Sequence, residues 1–471
     1  FRDSADTYIH FVEQFPFSDH APAFSVSTIE VYDVGGFPSL LLPAKQDFVS
    51  RYGLYSEYWA AKGQDIRSSL EPHLHGFLIE LSSYEHASAQ ALREAAKKNS
   101  TKTKAADKKL AEQQSLESHE RFLKAAALYR QFVDTFPQDK KTPEMAFLLA
   151  ESLFEGGQLA EAYNAYEKVA YDYPYTHQGV DPKRSAEAGY SAILVAQELI
   201  AQFNDAPLIK QWQQDLTQSS LRFAEHYKND KRAPVVLTQA AQALLADGQL
   251  PAAISAATRL TQWHPKPAKA LRESAWLVLA QAQFDSGIYP AAEVAYTEVL
   301  SLLSKSDKRR TSIIERRAAS VFQYAEQLLA QGKKQQAVDQ LLRVRGLAPD
   351  SDIARTALYD AANYLMELEQ WFAAEQAVLE FRKRYAGHSL LATLPAKLVL
   401  IYQAQGKWRL AAGELSDIAK NDNDPDVRRQ SLYLAAELFE KSGDTATAIV
   451  RYRSYAHTYA QPFDQVMEAR F

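Results

Sequence analysis

PEMAFLLAESLFEGGQLAEAYNAYEKVAYDYP, residues 143–174, has the pattern of two short amphipathic helices joined at Gly156-Gly157 and stopped by Pro174. Small residues in the two halves, Ala150 and Ala162, fall where the helices would meet and allow a close approach. Neither helix can bury its apolar stripe alone, so the stretch predicts a helical hairpin that packs on neighbouring helices. The apolar side chains recur three and four positions apart, at Ala146, Leu149, Ala150 and Leu153, then at Ala162, Tyr166 and Val169.

The same spacing of small and large residues returns along most of the chain. It is found at residues 234–265, 273–304, 318–349, 355–386 and 429–460, and more weakly at 392–422. This repeated hairpin resembles the tetratricopeptide repeat (TPR) family, a solenoid whose stacked units bury a continuous core. The resemblance implies an all-α fold: an α-α superhelix (TPR solenoid) of about ten helix pairs, with a concave inner face and half-repeats at both ends.

The first part of the chain departs from this pattern. Residues 1–138 are predicted to be an N-terminal region of divergent repeats, and residues 139–471 a C-terminal TPR-like superhelix. A polar, lysine-rich segment at about 97–118, KKNSTKTKAADKKLAEQQSLES, is inserted in a unit that is much too long for one repeat. Two structures fit this insertion: the repeat helices extend into a projecting hairpin, or the segment is a mobile loop.

Composition excludes several kinds of function. The chain has 471 residues, 46% of them hydrophobic and 24% charged, which is ordinary for a folded protein. It has no cysteine, which excludes disulfides and thiol catalysis, and its net charge of −5 does not indicate a nucleic-acid partner. No run of eighteen or more apolar residues predicts a membrane span. Because the helical pattern is already under way at Phe1, we expect a piece of a longer protein, with any signal peptide or lipid anchor upstream.

No arrangement of residues predicts catalysis. Glycine-rich phosphate loops, GxSxG elbows and HExxH zinc motifs do not occur. His73 and His75 are two positions apart on a predicted helix, so they would point to different faces and could not chelate one metal ion together. We therefore predict no catalytic residue, no cofactor and no metal site.

Two basic clusters have two interpretations each. Either cluster could dock an acidic partner or a lipid headgroup, and we favour the simpler interpretation, a solvated loop and a solvated helix start. Interleaved aromatic residues, which stack on bases in nucleic-acid sites, are missing from both clusters. The clusters are Lys97, Lys98, Lys102, Lys104, Lys108 and Lys109, and Lys305, Lys308, Arg309, Arg310, Arg316 and Arg317.

The TPR resemblance implies that first-helix side chains outside the packing stripe line the concave face. A peptide segment or a folded partner protein would bind there, with the aromatic side chains as anchors. The alternative is that these side chains pack against the next repeat, and the sequence does not decide between the two. Transferring the offsets predicts this protein-binding set: Phe147, Glu151, Phe154, Gln242, Leu277, Gln281, Phe284, Phe322, Glu326, Tyr359, Asn363, Tyr433 and Glu437.

Several second helices end in an aromatic residue and proline, as in FVEQFP (11–16), FVDTFP (132–137) and VAYDYP (169–174). This style resembles repeats of bacterial envelope lipoproteins, such as the BamD-like component of outer-membrane assembly and the Tol–Pal coordinator. It implies a non-catalytic scaffold for protein–protein interactions in outer-membrane assembly or another periplasmic complex, with a possible outer-membrane anchor. The alternatives are a cytoplasmic adaptor or regulatory protein, and the repeat region of a larger enzyme.

Overall fold

In the computed structural model, which describes residues 2–173 and 182–470, the chain is built from helices, and the described part contains no strand. It divides into two compact units, Phe1–Ala240 and Ala241–Phe471. The prediction of an all-α fold is confirmed, and within each unit every helix packs mainly on the helices before and after it. Residues 174–181 lie outside the described part, and so does the stop predicted at Pro174.

The first unit contains ten complete helices and the start of an eleventh within its described residues. The second helix is followed by a turn at Gly35-Gly36, where the sequence predicts one. Their bounds are α1 Arg2–Gln14, α2 Ala21–Val34, α3 Pro38–Tyr52, α4 Glu57–Ala61, α5 Gln64–Ser100, α6 Ala105–Thr135, α7 Thr142–Glu155, α8 Leu159–Tyr171, α9 Pro182–Gln202 and α10 Ala206–His226, and α11 Ala233–Ala246 contains the unit boundary.

The second unit continues the series with helices of similar length. A short 3-10 helix, Ser389–Thr393, precedes the weakest repeat of the sequence. The bounds are α12 Leu250–Thr261, α13 Lys269–Asp285, α14 Tyr289–Leu302, α15 Arg310–Ala330, α16 Lys334–Leu347, α17 Asp352–Glu367, α18 Trp371–Arg384, α19 Leu394–Ala404, α20 Trp408–Asn421, α21 Pro425–Lys441, α22 Thr445–Thr458 and α23 Phe463–Glu468.

The number of helix pairs agrees with the predicted number of repeats. Within the described residues, α2/α3 and the nine pairs from α5/α6 to α21/α22 make ten consecutive pairs. The helices α1 and α23 stand at the two ends, where half-repeats are predicted. No helix of the described part is long and apolar enough to cross a membrane.

The small residues of the repeat lie where the sequence predicts them. In the first repeat quoted above, Ala150 and Ala162 are fully buried and Tyr166 is 4% exposed. The repeat at 273–304 shows the same arrangement, because Ala292 and Tyr296 are fully buried in α14. Alanine at the crossing brings the two helices close together, and the tyrosine ring then fills the space beside the crossing.

In eight of the ten described helix pairs, all but α5/α6 and α9/α10, the turn between the two helices uses the left-handed backbone region. Gly157 has a φ of 79° and Gly287 a φ of 74°, values that glycine adopts without steric cost. The repeat at 355–386 has no glycine at this position. There Glu369 takes a φ of 57°, and among the described residues it is the one non-glycine residue with a positive φ.

The lysine-rich insertion is part of an extended helical hairpin. The helices α5 and α6 have 37 and 31 residues, whereas α7 and α8 have 14 and 13. Residues 97–118 continue the two long helices around a connection at residues 101–104. Of the two structures expected for this segment, the structure shows the extension of the repeat helices.

A repeat of small residues at intervals of seven joins the two long helices. Ser118 donates a hydrogen bond from Oγ to the carbonyl oxygen of Ala89, at 2.9 Å, which sets the antiparallel register. We call residues 89–118 the distal hairpin. Small side chains at heptad spacing let two helices pack closely without large apolar residues. The buried members are Ser82, Ala89 and Ala96 on α5, and Ala111, Ser118 and Ala125 on α6.

The domain boundary predicted after residue 138 falls between α6 and α7. These two helices pack on each other inside the first unit. The boundary between the compact units falls about one hundred residues later, in α11. Division of the chain into a divergent region and a regular region thus describes repeat style, and as a domain boundary it stays a prediction.

Candidate protein-binding face

The thirteen side chains predicted to bind protein, from Phe147 to Glu437, lie on the first helices α7, α11, α13, α15, α17 and α21, and we call them the first-helix row. Tyr359 and Asn363 on α17 show how the row meets the next repeat. The Tyr359 hydroxyl lies 3.0 Å from Thr393 Oγ1, and Lys397 Nζ donates a hydrogen bond to Asn363 Oδ1 at 2.5 Å. The same ammonium group stands 4.8 Å from the centroid of the Tyr359 ring. These two positions therefore tie one repeat to the next.

Other members of the row make the same kind of contact. Arg316 on α15 donates a hydrogen bond to Oε1 of Gln281 on α13. The Tyr433 hydroxyl on α21 donates one to Glu468 on α23 at 2.6 Å. Tyr433 is only 5% exposed, so its ring is packed in the core and is not available to a partner in this conformation.

The phenylalanines of the row are half-buried between helices. The Phe147 ring lies 6.1 Å from that of Tyr166, and the Arg184 guanidinium lies 5.7 Å from its centroid. The Phe284 ring meets that of Tyr289 edge to face at 5.4 Å. Phe154 and Phe322 pack against the buried core of their own regions. Part of each ring thus contacts neighbouring helices, and the prediction that these rings anchor a partner stays a prediction.

The remaining members are accessible. Gln242 and Glu326 are exposed, and Leu277 is 37% exposed. Two apolar residues that the sequence analysis missed are more open: Leu400 is 55% exposed and Leu434 is 45% exposed. They are 34 residues apart, the same interval that separates the contacting residues Asn363 and Lys397 in the preceding repeats. Repeat spacing alone could have found them, because each lies 37 positions after one member of that pair.

Carboxylates in the row sit in partly buried, acidic surroundings. Burial, with Glu155 nearby, raises the pKa of Glu151. Burial also raises the pKa of Glu437, and Glu468 and Glu440 add to the shift. A cation brought beside either carboxylate would favour its ionised form. On α21 the exposed Leu434 thus lies three residues from Glu437, a carboxylate that would gain from a lysine or arginine of a partner.

His73 and His75 make contacts within the fold. His75 Nε2 lies 3.2 Å from Asp139 Oδ2, while the His73 ring meets Phe48 and Phe77. Among the described residues, no group of three or more histidine, aspartate and glutamate side chains is placed to hold a metal ion.

Arginines of the second cluster hold the connection between α14 and α15. Arg309 pairs with Asp307 and Glu273, at 2.8 and 2.6 Å. Arg310 donates a hydrogen bond to the carbonyl oxygen of Leu300 at the end of α14, at 2.9 Å. Arg309 and Arg310 are thus used within the fold, and the simpler interpretation of the whole cluster stays a prediction.

Family comparisons agree with the repeat pattern. Residues 110–175 and 238–306 match one tetratricopeptide repeat model, and residues 430–461 match a second. A search of curated proteins gives no match.

Solved structures with similar helices come from several sources. BtubC from P. vanneervenii is 19% identical over 44% of this chain and 87% of that chain, with a TM-score of 0.24. A tetratricopeptide repeat protein from Parabacteroides merdae is 11% identical over 60% and 99%, with a TM-score of 0.24. Yeast Tom70 is 14% identical over 93% and 96%, with a TM-score of 0.22.

TM-scores of this size do not establish a common fold, so the assignment rests on the matched segments and on the helix pairs described above. The matched segments contain the small-residue crossings Ala150/Ala162 and Ala280/Ala292, all four of them fully buried. The same helix pairs continue between and beyond the matches. The chain is therefore a tetratricopeptide repeat protein.

Proposed function

We propose that this protein is a non-catalytic scaffold for protein complexes of the bacterial cell envelope, located in the periplasm. A role in binding other proteins follows from the repeat family itself. The observation that carries the proposal further is the pair of exposed leucines on adjacent first helices, Leu400 and Leu434, which take the repeat positions of Asn363 and Lys397. Large apolar side chains left open beside polar ones are typical of a protein-binding site, and a few such anchors supply most of the binding energy.

The chemistry of a partner follows from what surrounds these leucines. Lys397 is held by Asn363, while Glu437 and Glu440 provide carboxylates one repeat further along. A partner segment with an apolar anchor followed by lysine or arginine would match this order. The anchor would cover the leucines, and the basic side chain would neutralise the carboxylates.

The exposed first-helix leucines, Leu400 and Leu434, can be tested against a matched control. The double variant Leu400→Glu/Leu434→Glu places charges on first helices, whereas Leu410→Glu/Val450→Glu places them on second helices at side chains that are 50% and 60% exposed. Both variants should fold, since all four positions are open. We expect proteins crosslinked to the native chain in a bacterial host to be lost with the first variant and retained with the second. Equal retention in both would contradict the binding face.

The cellular location is supported by the aromatic–proline ends of the second helices, which resemble those of envelope lipoproteins. Fractionation of the native organism, followed with an antibody to this chain, tests it. We expect the protein in the periplasmic or outer-membrane fraction, with a signal peptide and a lipobox cysteine encoded upstream. Recovery from the cytoplasm would favour the adaptor, and a catalytic domain at either end would favour the larger enzyme.

A further inference from the structure

The α5/α6 hairpin extends beyond the helix that packs on it. The Ser152 hydroxyl of α7 lies 3.1 Å from Nδ1 of His86, and Glu155 forms an ion pair with Arg93. At the end of α7 the helices are close, because a Cβ at Gly156 would stand 2.6 Å from Leu123 Cδ2. The α7 helix ends at Glu155, whereas α5 continues to Ser100. The face of the hairpin that receives α7 therefore continues beyond it.

This continuation is a groove. It has a volume of about 500 Å³, and its floor contains Ala96, Ala111 and Ser115. Since the two helices are joined there by small side chains, the space above their contact stays open. Its inner end is closed by Glu155 and Arg93, the pair that also fixes the end of α7.

The groove lining carries more basic than acidic side chains: Arg93, Lys97 and Lys108 against Glu112 and Glu155, of which Glu155 is paired with Arg93. Lys97 on α5 and Lys108 on α6 line the groove from opposite helices, and both are exposed. Within the described residues, neither ammonium group has a carboxylate within 4 Å, whereas Lys102 near the tip stands 3.6 Å from Asp107. Residues 97–109 carry six lysines and one acidic residue. An acidic occupant would meet an excess of unpaired positive charge.

We propose that this distal groove binds an acidic helix of another protein, laid along the hairpin in continuation of α7. Two packed helices can receive the ridge of a third, as α5 and α6 receive α7 through His86, Arg93 and Leu123, and in the groove small residues leave room for such a ridge. A flat bilayer would meet the exposed lysines but could not enter the floor, and the rim offers no aromatic side chain for stacking on bases. This second site lies in the first unit, apart from Leu400 and Leu434, and does not depend on the function proposed for them.

The test uses the full chain and a fluorescent, alanine-rich helical peptide with glutamates along one face. A peptide of the same length with glutamine in place of glutamate is the matched probe. We expect the acidic peptide to bind in a salt-dependent manner and the glutamine peptide to bind much more weakly, as measured by fluorescence anisotropy. Equal binding of the two peptides would overturn the proposal.

Two variants separate charge from shape. Lys97→Glu/Lys108→Glu should weaken binding about tenfold or more, while the control Lys305→Glu/Lys308→Glu in the second unit should leave it unchanged. Ser115→Trp fills the floor without altering the charge and should also abolish binding, and circular dichroism and thermal melting check that each variant is folded. Binding that survives Ser115→Trp in a folded protein would overturn the proposal that the peptide binds in the groove.

Binding of anionic vesicles that equals peptide binding and survives the same substitution would assign the lysines to a membrane surface instead. Since the Leu400→Glu/Leu434→Glu variant should bind the peptide normally, failure here leaves the proposal for those two leucines untouched.

Discussion

The distal hairpin and the regular repeat α13/α14 both join two helices through small side chains, yet they bury very different things. In the repeat, fully buried Ala280 and Ala292 flank the crossing, and the equally buried Tyr296 fills the layer beside it. Between Ala89 and Ser118 the buried residues are small, and the large apolar residues Leu110 and Leu116 are 44% and 66% exposed. The hairpin gains helix–helix contact but little apolar burial.

This difference shows what neighbours contribute in a stacked protein. Repeats in the interior of a stack are covered on both sides, so a large ring beside each crossing is buried at little cost. A hairpin that extends beyond its neighbours has only its own two helices, so a large ring beside each contact would stay mostly exposed and would gain little from burial. Small residues at intervals of seven keep the helices together and leave a surface free for binding.

Removal of the buried tyrosine ring from the regular repeat should show the largest difference in stability between the two regions. We expect Tyr296→Ala to destabilise the second unit by about 3–5 kcal/mol, because a fully buried ring leaves a cavity. Leu116→Ala on the distal hairpin should cost almost nothing, since that side chain is 66% exposed. Urea unfolding followed by circular dichroism measures both effects. Similar losses in the two variants would break the comparison.

Added volume should damage both regions, but to different extents. Ala292→Leu places extra atoms at a crossing covered on both sides, and we expect a loss of about 1–3 kcal/mol or more. Ala96→Leu near the tip should cost less, because the ends of the hairpin can separate locally without unfolding the repeats. Hydrogen exchange should then show faster opening confined to residues 89–118. A loss of protection throughout the first unit would contradict this view.

The repeats could be predicted from the sequence because their signal is local. Small and large residues recur within one hairpin, and a glycine marks the turn. The heptad of small residues was harder to detect, since Ala96, Ala111 and Ser118 lie in a lysine-rich stretch and the register joins residues far apart in the chain. The stretch lacks an apolar stripe, so its sequence indicates a polar segment. The small residues that recur every seven positions could have indicated the close packing.

The candidate site was only partly accessible to sequence reasoning. Offsets within one repeat located Tyr359 and Asn363 on the correct helix, but not the side chains of the next repeat that meet them. The contacts of Lys397 and Thr393 form only when two repeats stack, and the residue spacing within one hairpin carries no information about that stacking. Leu400 was missed because its repeat, at 392–422, matches the pattern weakly, and Leu434 because it lies outside the offsets that were transferred from the other repeats.

Two lysines offer a direct comparison of a structural and a free charge. Lys397 holds Asn363 and stands over the Tyr359 ring, so Lys397→Ala should destabilise the second unit by about 1 kcal/mol. Lys97→Ala in the distal groove should leave stability within about 0.5 kcal/mol of the native value, as for most surface substitutions. Thermal unfolding of the two variants measures the difference. A loss at Lys97 as large as that at Lys397 would mean that the groove lysines serve the fold.

The base of the hairpin should respond to pH. His86 is 8% exposed, with Nε2 2.9 Å from Gln90 Nε2 and Nδ1 facing Ser152, and burial together with Arg93 lowers its pKa from the usual 6.5. Because the unfolded chain then binds the proton more readily, this histidine should stabilise the fold fully above pH 6.5 and progressively less below it. Burial raises the pKa of nearby Glu151, which acts in the opposite direction as the pH rises.

The difference between the native chain and His86→Gln isolates this effect. Free energies of unfolding measured from pH 7.5 to 5.5 should fall more steeply in the native protein than in the variant. Parallel curves would show that folding does not change the pKa of His86. Ser152→Ala is the matched control, since it removes the partner of Nδ1 but keeps the titrating ring.

The smallest expected effect concerns the turns, where the repeat at 355–386 differs from its neighbours and from the hairpin. Residues 101–104 connect the long helices without a positive φ, so glycine brings no advantage there. In the regular repeats outside α9/α10 the turn contains a left-handed residue, and Glu369 occupies this position with a φ of 57°. A side chain in that region costs roughly 1–2 kcal/mol, and glycine loses about 0.5–1 kcal/mol through the freedom of its unfolded chain. We therefore expect Glu369→Gly to stabilise the second unit by about 0.5–1 kcal/mol, whereas Glu369→Ala should bring no gain.

The reverse change, Gly332→Ala, should be destabilising through backbone strain alone, because a Cβ there meets no atom within 4 Å and φ is 74°. Urea unfolding of the three variants measures these shifts. A gain from alanine equal to that from glycine would show that the glutamate side chain, and not the backbone, carries the cost at this turn.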